Sequence, residues 1–228
     1  IKDLLTDVNM KVDNSGLRIQ AMDGSHVSVC NVFIDSTSFD IFECIDKTFN
    51  FGINIANIDK IFKCMTNDMS VTLESFDAMD KIGITFVNDK NTLEFHLNLM
   101  EIDQDEIEIP EQEFECVFDL ESTDAQTHFK NLLSIGDTCK IQSIDKEITL
   151  ETEGDFSNMK IKISNGVILN TNDICNMYSL KYINFFMKAC SLSDNVCVKL
   201  IQDCPIMFEY NIQDVGYIKY FLAPKIED

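Results

Sequence analysis

Lys60 and Lys63 stand three residues apart and Lys181 and Lys188 seven, so on a helix each pair shares one face. Lysines on helix faces are as a rule simply solvated; if equivalent helices line one surface, these would form a positive strip on an otherwise acidic body. Lys130, with Thr127 and Ser134 beside it, and Lys2 belong with them, and Asn184 stands between the second pair. Asp23 and His26 could exchange a proton, but a turn aspartate near a pocket histidine explains both without catalysis. Asp103 and Asp105 lack the glycine and the terminal glutamate spacing of a calcium loop. No phosphate-binding loop, GxGxxG or nucleophile elbow occurs, so no enzymatic activity is expected. Nine cysteines (Cys30, Cys44, Cys64, Cys116, Cys139, Cys175, Cys190, Cys197 and Cys204) are odd in number and form no CxxC. Neither a disulfide framework nor a zinc site is expected, nor any other cofactor. Most of these cysteines sit in apolar patterns, as small hydrophobes in a reducing compartment.

Helices must carry those lysines, and few segments read as helix. Ile55–Met65 places Ile55, Ile58, Ile61, Phe62 and Met65 on one side, with Asn54 as its cap. Leu180–Cys190 repeats the pattern, Ser122–Ile135 gathers Ala125, Phe129, Leu132 and Leu133, and Ile1–Leu5 resembles a helix end. Elsewhere period-two alternation dominates, as in Leu17, Ile19 and Ala21 or Met159, Ile161 and Ile163. Further short strands are expected near 27–33, 49–53, 70–73, 82–87, 92–99, 147–150, 196–200, 206–210 and 217–222. The helix-turn-strand unit from Ile58 to Val87 echoes Ile183 to Ile212, each with a lysine, a cysteine and a turn aspartate in order. Val71-Thr72-Leu73 answers Val198-Lys199-Leu200. The chain therefore reads as two similar α+β domains, residues 1–98 and 116–228, joined by an acidic extended segment at 99–115. With 228 residues, 45% of them hydrophobic, both halves can bury a core, and no apolar run approaches a membrane span. The net charge of −21 opposes wrapping of nucleic acid by bulk attraction and suits a hub for basic partners. The sequence begins at Ile1 rather than Met, and an upstream segment is expected.

Several stretches resemble, in order, the proliferating cell nuclear antigen family of eukaryotic-type sliding clamps. GLRIQAMDGSHVSVCNVFIDSTSF at 16–39 is similar to that family's N-terminal signature, and IDKIFKC at 58–64 to its first central helix. LM at 99–100 with IPEQEFEC at 109–116 resembles its connecting loop. SIGD at 134–137, LKYINFFMKA at 180–189 and GYIKYFLAPKIED at 216–228 resemble its second domain and C-terminus.

The resemblance implies a DNA clamp fold in a homotrimeric ring, with helices lining the hole and antiparallel sheets outside. It implies a processivity factor that encircles duplex DNA in replication and repair. The alternatives are a monomeric processivity factor or a specialised or viral paralogue with a regulatory role. Lys2, Lys60, Lys63, Lys130, Lys181 and Lys188 match positions that face the hole and would meet phosphates loosely. A peptide pocket is implied at Met22, His26, Val27, Val29, Ile107, Ile109, Pro110, Pro205, Phe221, Leu222, Ala223 and Pro224. Motifs with a Gln, an aliphatic residue and two aromatics would plug into it. The implied partners are DNA polymerase, the clamp loader, flap endonuclease and DNA ligase, in the nucleus or a viral replication compartment. The edge near Thr92–Leu99 would pair with the neighbour's 166–170. The family's first strand and most of its first inner helix are expected to lie outside this sequence. Thr127 and Asp119 stand where many relatives carry basic residues, which implies a weaker DNA face.

Overall fold

The structure, a computed structural model, describes residues 1–44, 48–76, 80–103, 107–110, 112–164 and 166–226. Chain order gives β1 (Asp7–Asp13), β2 (Gly16–Met22), β3 (Ser28–Asp35), β4 (Phe49–Asn54), α1 (Ile55–Phe62), β5 (Ser70–Ser75), β6 (Lys81–Val87) and β7 (Thr92–Asn98). After the acidic segment come β8 (Cys116–Glu121), α2 (Ser122–Leu133), β9 (Thr138–Ile144), β10 (Glu147–Glu153), β11 (Asn158–Lys162) and β12 (Val167–Thr171). The last elements are β13 (Ile174–Ser179), α3 (Leu180–Phe186), β14 (Asn195–Leu200), β15 (Ile206–Ile212) and β16 (Gly216–Leu222).

All strand pairs are antiparallel, and the sheets display the repeat. The order β4-β1-β2-β3 recurs as β13-β9-β10-β11, and β7-β6-β5 recurs as β16-β15-β14. The repeats are not two separate sheets, because β3 pairs with β16 and fuses them into one nine-stranded sheet, β12-β8-β14-β15-β16-β3-β2-β1-β4. The second half alone carries β8 and α2 among the described residues. Strand β8 closes the outer side of β14, whereas β5 keeps a free edge in its three-stranded sheet.

One face of the nine-stranded sheet is core. The cross-strand row Ala21–Cys30–Tyr220–Phe208–Val198–Phe118 is buried throughout. The helices of the second half pack on it: Phe186 stacks on Tyr220 at 4.6 Å between centroids, and Phe129 meets Phe208 edge-on at 5.8 Å. Helices α2 and α3 are tied by Asn184, whose amide donates to the Phe129 carbonyl at 3.0 Å, and by Gln126, which donates to the Met187 carbonyl at 3.2 Å.

All three helices end earlier than their apolar periodicity suggests. Asn54 caps α1 as expected, its side chain accepting from the Asn57 N–H at 3.1 Å, but α1 stops at Phe62 and α2 at Leu133. Helix α3 stops at Phe186 and tightens into a 3-10 segment over Met187–Leu192. That segment holds Cys190 and Ser191, weak helix formers, and the tighter winding keeps Met187 and Ala189 buried. Ile1–Leu5 forms a turn, in which the N–H groups of Leu4 and Leu5 donate to the Ile1 carbonyl at 2.9 and 3.0 Å.

Candidate functional site

All six singled-out lysines are exposed, and they are borne by one layer. Lys60 is on α1 with Lys63 as its C-cap, Lys130 on α2, Lys181 on α3, Lys188 in the following 3-10 segment and Lys2 in the first turn. The turn stitches the layer together. Lys2 reaches Asp59 of α1 at 3.0 Å, and Asp3 accepts from Lys188 at 2.7 Å, across the two halves. Asp59 is shared, since Lys63 meets the same carboxylate at 2.8 Å. The Lys63 and Lys2 hydrogen bonds hold the Asp59 carboxyl below its ordinary pKa, and the Lys188 hydrogen bond does the same for Asp3. Among the described residues, Lys60, Lys130 and Lys181 have no carboxylate partner.

Two expectations about this layer change. Asn184 does not stand free between Lys181 and Lys188, because its amide is spent on the Phe129 and Leu180 carbonyls inside the helix pair. Asp119 is not on the helix layer at all: it lies on β8, registered with Cys197 on the sheet's outer side. Thr127 is on α2, where its hydroxyl donates back to the Thr123 carbonyl at 2.9 Å.

The outer side of the same sheet carries the apolar candidates. Met22, Val29 and Phe221 are direct cross-strand neighbours, and the row continues through Met207 to Lys199. Met207 was not legible as a surface group, yet the register puts it on this side although it is only 4% exposed. Leu222 departs from the expected set. It pairs with Ser28 and Ile206, all three buried, and so faces the core rather than the pocket row. Ala223 and Pro224 are half-buried beyond the end of β16, where the Ala223 N–H donates to the Val27 carbonyl at 2.9 Å. Pro205, exposed, leads into β15.

His26 and Val27 are exposed in the turn between β2 and β3, and His26 takes a left-handed φ of 58°. Asp23 builds that turn by accepting from the N–H groups of Ser25, Val27 and Ser28 at 2.9, 2.9 and 2.7 Å. The Tyr182 hydroxyl of α3 adds a fourth donor at 3.0 Å. Burial works to raise the Asp23 pKa, and these donors outweigh it, leaving the carboxyl below its ordinary value. An acceptor saturated in this way organises structure and is a poor proton relay.

Both described ends of the acidic segment lie on this outer side. At its start Met100 bridges to Gly52 of β4, so closely that a Cβ at position 52 would lie 2.0 Å from the Met100 carbonyl oxygen. The Asn9 amide of β1 then holds the Ile102 carbonyl at 3.1 Å. At its end Lys199 of β14 lies over the Phe114 ring at 5.5 Å, and the Glu115 N–H donates to the Leu200 carbonyl at 3.0 Å. Between β1 and β14 lie five strand spacings, about 24 Å, and twelve extended residues reach about 40 Å. Ile107 and Ile109 are half-buried while Glu108 and Pro110 are exposed, the alternation of an extended strap with one side against protein. Asp103 is exposed, and Asp105 lies outside the described residues. None of the nine cysteines forms a disulfide among the described residues; Cys30, Cys116 and Cys139 are buried, whereas Cys64 and Cys175 are exposed.

Comparison with known families decides what this arrangement belongs to. The family model described as the proliferating cell nuclear antigen N-terminal domain matches residues 1–108, and that of its C-terminal domain matches residues 108–225. The chain belongs to the proliferating cell nuclear antigen family. It is a DNA sliding clamp, a processivity factor of DNA replication, and the two matches do not favour the alternative readings. The two repeats, antiparallel sheets and sparse helices are those of the DNA clamp fold. Clamps of this family bind DNA, self-assemble, interact with replication proteins and serve in general as non-catalytic scaffolds. No described helix is long and apolar enough to cross a membrane.

Proposed function

We propose that this clamp works as a homotrimeric ring that holds duplex DNA against its helix layer and captures partners on the outer side of its long sheet. The observation that carries the ring is the joint between the halves. Within the chain β3 pairs with β16, and the repeat counterparts of those strands, β11 and β7, each end a sheet with a free edge. Repeating the same joint between chains pairs β7 of one subunit with β11 of the next. This head-to-tail contact closes a ring and removes both edges. It takes β11 in place of the 166–170 segment, whose strand β12 carries an irregular register against β8 between Ile168 and Asn170.

The six lysines then meet phosphate oxygens without base readout, while the acid-rich remainder of the chain repels DNA. Retention is topological, so weak contacts suffice. Partner motifs with an aliphatic and two aromatic side chains seat on Met22, Val29, Met207 and Phe221 beside the strap of Ile107, Ile109 and Pro110. His26, Val27, Pro205, Ala223 and Pro224 form the rim. Each buried side chain contributes roughly 1.5–3 kcal/mol, and ordering of the peptide offsets part of it. DNA polymerase, the clamp loader, flap endonuclease and DNA ligase are the partners this reading names. The nucleus or a viral replication compartment is its place, and the chain has no catalytic activity of its own.

Light scattering tests the ring: a mass near three times the 26.0 kDa chain, stable through micromolar dilution, is expected, and a monomer would overturn it. For the pocket, Ile109→Ser with Phe221→Ser should reduce capture of a fluorescent motif peptide at least tenfold with the oligomer intact. Unchanged affinity would refute the site.

A further inference from the structure

Three of the six lysines in the helix layer are already engaged by carboxylates. Lys63, Asp59, Lys2, Asp3 and Lys188 form a string of alternating charge that runs from α1 through the first turn to the 3-10 segment after α3. Its links are 2.8, 3.0 and 2.7 Å, and Lys2 also acts on Asp3 through its charge. Asp59 is the centre, a single carboxylate between two ammonium groups. We infer that Asp59, with Asp3, sets the strength of DNA contact in this clamp by competing with phosphate for Lys2, Lys63 and Lys188. The inference rests on the helix layer being the DNA face.

Chemistry and geometry both favour competition. A carboxylate and a phosphate offer the same ammonium group the same kind of charge-assisted hydrogen bond. To reach a phosphate, Lys2 and Lys63 must leave Asp59, or else bring its negative charge toward the backbone. Six ammonium groups against three carboxylates, those of Asp59, Asp3 and Asp124 of α2, leave a net of three positive charges spread over three helices, the 3-10 segment and a turn. A ring that holds DNA by topology gains from this, because short-lived contacts let it slide. The plainer reading is that Asp59 supports α1, since an acid four residues before a lysine is the favoured helical order. That role concerns helix stability alone and predicts no change at the DNA.

The test measures binding of a labelled duplex by anisotropy over a salt series. Asp59→Asn should tighten binding about three- to tenfold near 0.1 M salt. It should also steepen the plot of log K against log salt by between one and two units, since each freed lysine that neutralises a phosphate adds about 0.9. Asp3→Asn should add up to one unit more, and Asp59→Glu should restore the original slope. Lys60→Ala with Lys181→Ala, both without carboxylate partners among the described residues, should flatten the slope. If those lysine variants leave it unchanged, the DNA face itself is wrong and the inference falls with it. If they flatten it while Asp59→Asn leaves affinity and slope unaltered in a normally folded protein, the DNA face stands and the role of Asp59 is overturned.

Discussion

Helices α1 and α3 occupy equivalent places in the repeat, yet their surroundings differ. Helix α3 buries Leu180, Ile183 and Phe186 between α2 and the sheet, whereas α1 buries only Ile55. Phe62 of α1 touches Phe86 edge-on at 5.4 Å but remains 39% exposed. The strands beneath repeat the contrast: Val198 and Leu200 of β14 are fully buried between β8 and β15, while Val71 and Leu73 of β5 are exposed beside a free edge. The same local pattern thus yields a core in one half and a half-covered layer in the other. Among the described residues, β8 and α2 cover these positions in the second half, and the first strand and helix expected upstream of Ile1 are what would cover β5 and α1. Amphipathic pattern sets which side a helix turns inward, and the neighbouring element sets how much that side contributes.

The largest expected effect sharpens this contrast. Phe208 is fully buried and touches the rings of Phe129 and Phe186. Phe208→Ala should cost about 3–5 kcal/mol in urea unfolding, the range for emptying an aromatic site in a core. Phe62→Ala should cost only about 1 kcal/mol, because much of that ring already meets water. Equal losses would mean that α1 is as well covered as α3.

How far this was readable in advance depended on what each strand buries. Strands with clean alternation, such as Leu17, Ile19 and Ala21, stood out. Strands β9 and β13 did not, because their buried faces include Ser143 and Asn176, which break the apolar period. Asn176 is accommodated by donating to the Tyr178 hydroxyl and to the Ile201 carbonyl, both at 2.9 Å, partners no local pattern reveals. That these lysines stand on exposed helix faces was legible from spacing and the repeat, but their carboxylate partners were not, since Lys2 with Asp59 and Asp3 with Lys188 are remote in sequence. For the pocket implied by the resemblance, the expected set and the strand register differ at two positions. Leu222, which the resemblance placed in the pocket, faces the core, and Met207, outside that set, lies on the outer side in register with Phe221, because a match of positions does not carry side-chain direction along a strand.

A smaller effect separates the halves by pH. Glu209 of β15 lies beneath Lys199 at 2.7 Å and Lys219 at 3.1 Å. Burial works to raise its pKa, and the two lysines outweigh it, so its folded value lies below the ordinary one. A depressed carboxyl stabilises the fold above its unfolded pKa of about 4.3, and that contribution fades as pH falls through the folded value. Glu209→Gln should therefore cost about 1–2 kcal/mol at pH 7, less than the 3–5 kcal/mol of breaking a fully buried pair. Its loss of stability on acidification below about pH 4.3 should be shallower than that of the parent. An unchanged acid limb would show that the two lysines hold Glu209 equally in the unfolded chain.

The most discriminating comparison places one substitution at equivalent positions. Val71 is 39% exposed and Val198 is 0% exposed. Threonine keeps the branched shape of valine and adds a hydroxyl, so the change is neutral where water reaches it and costly where no partner exists. Val198→Thr should cost about 1–3 kcal/mol, and Val71→Thr should stay within about 0.5 kcal/mol of zero. Differential scanning calorimetry of both variants reads the contrast directly. A Val71→Thr loss as large as that of Val198→Thr would mean that β5 is covered in solution, and the two halves would then be alike in packing as well as in pattern.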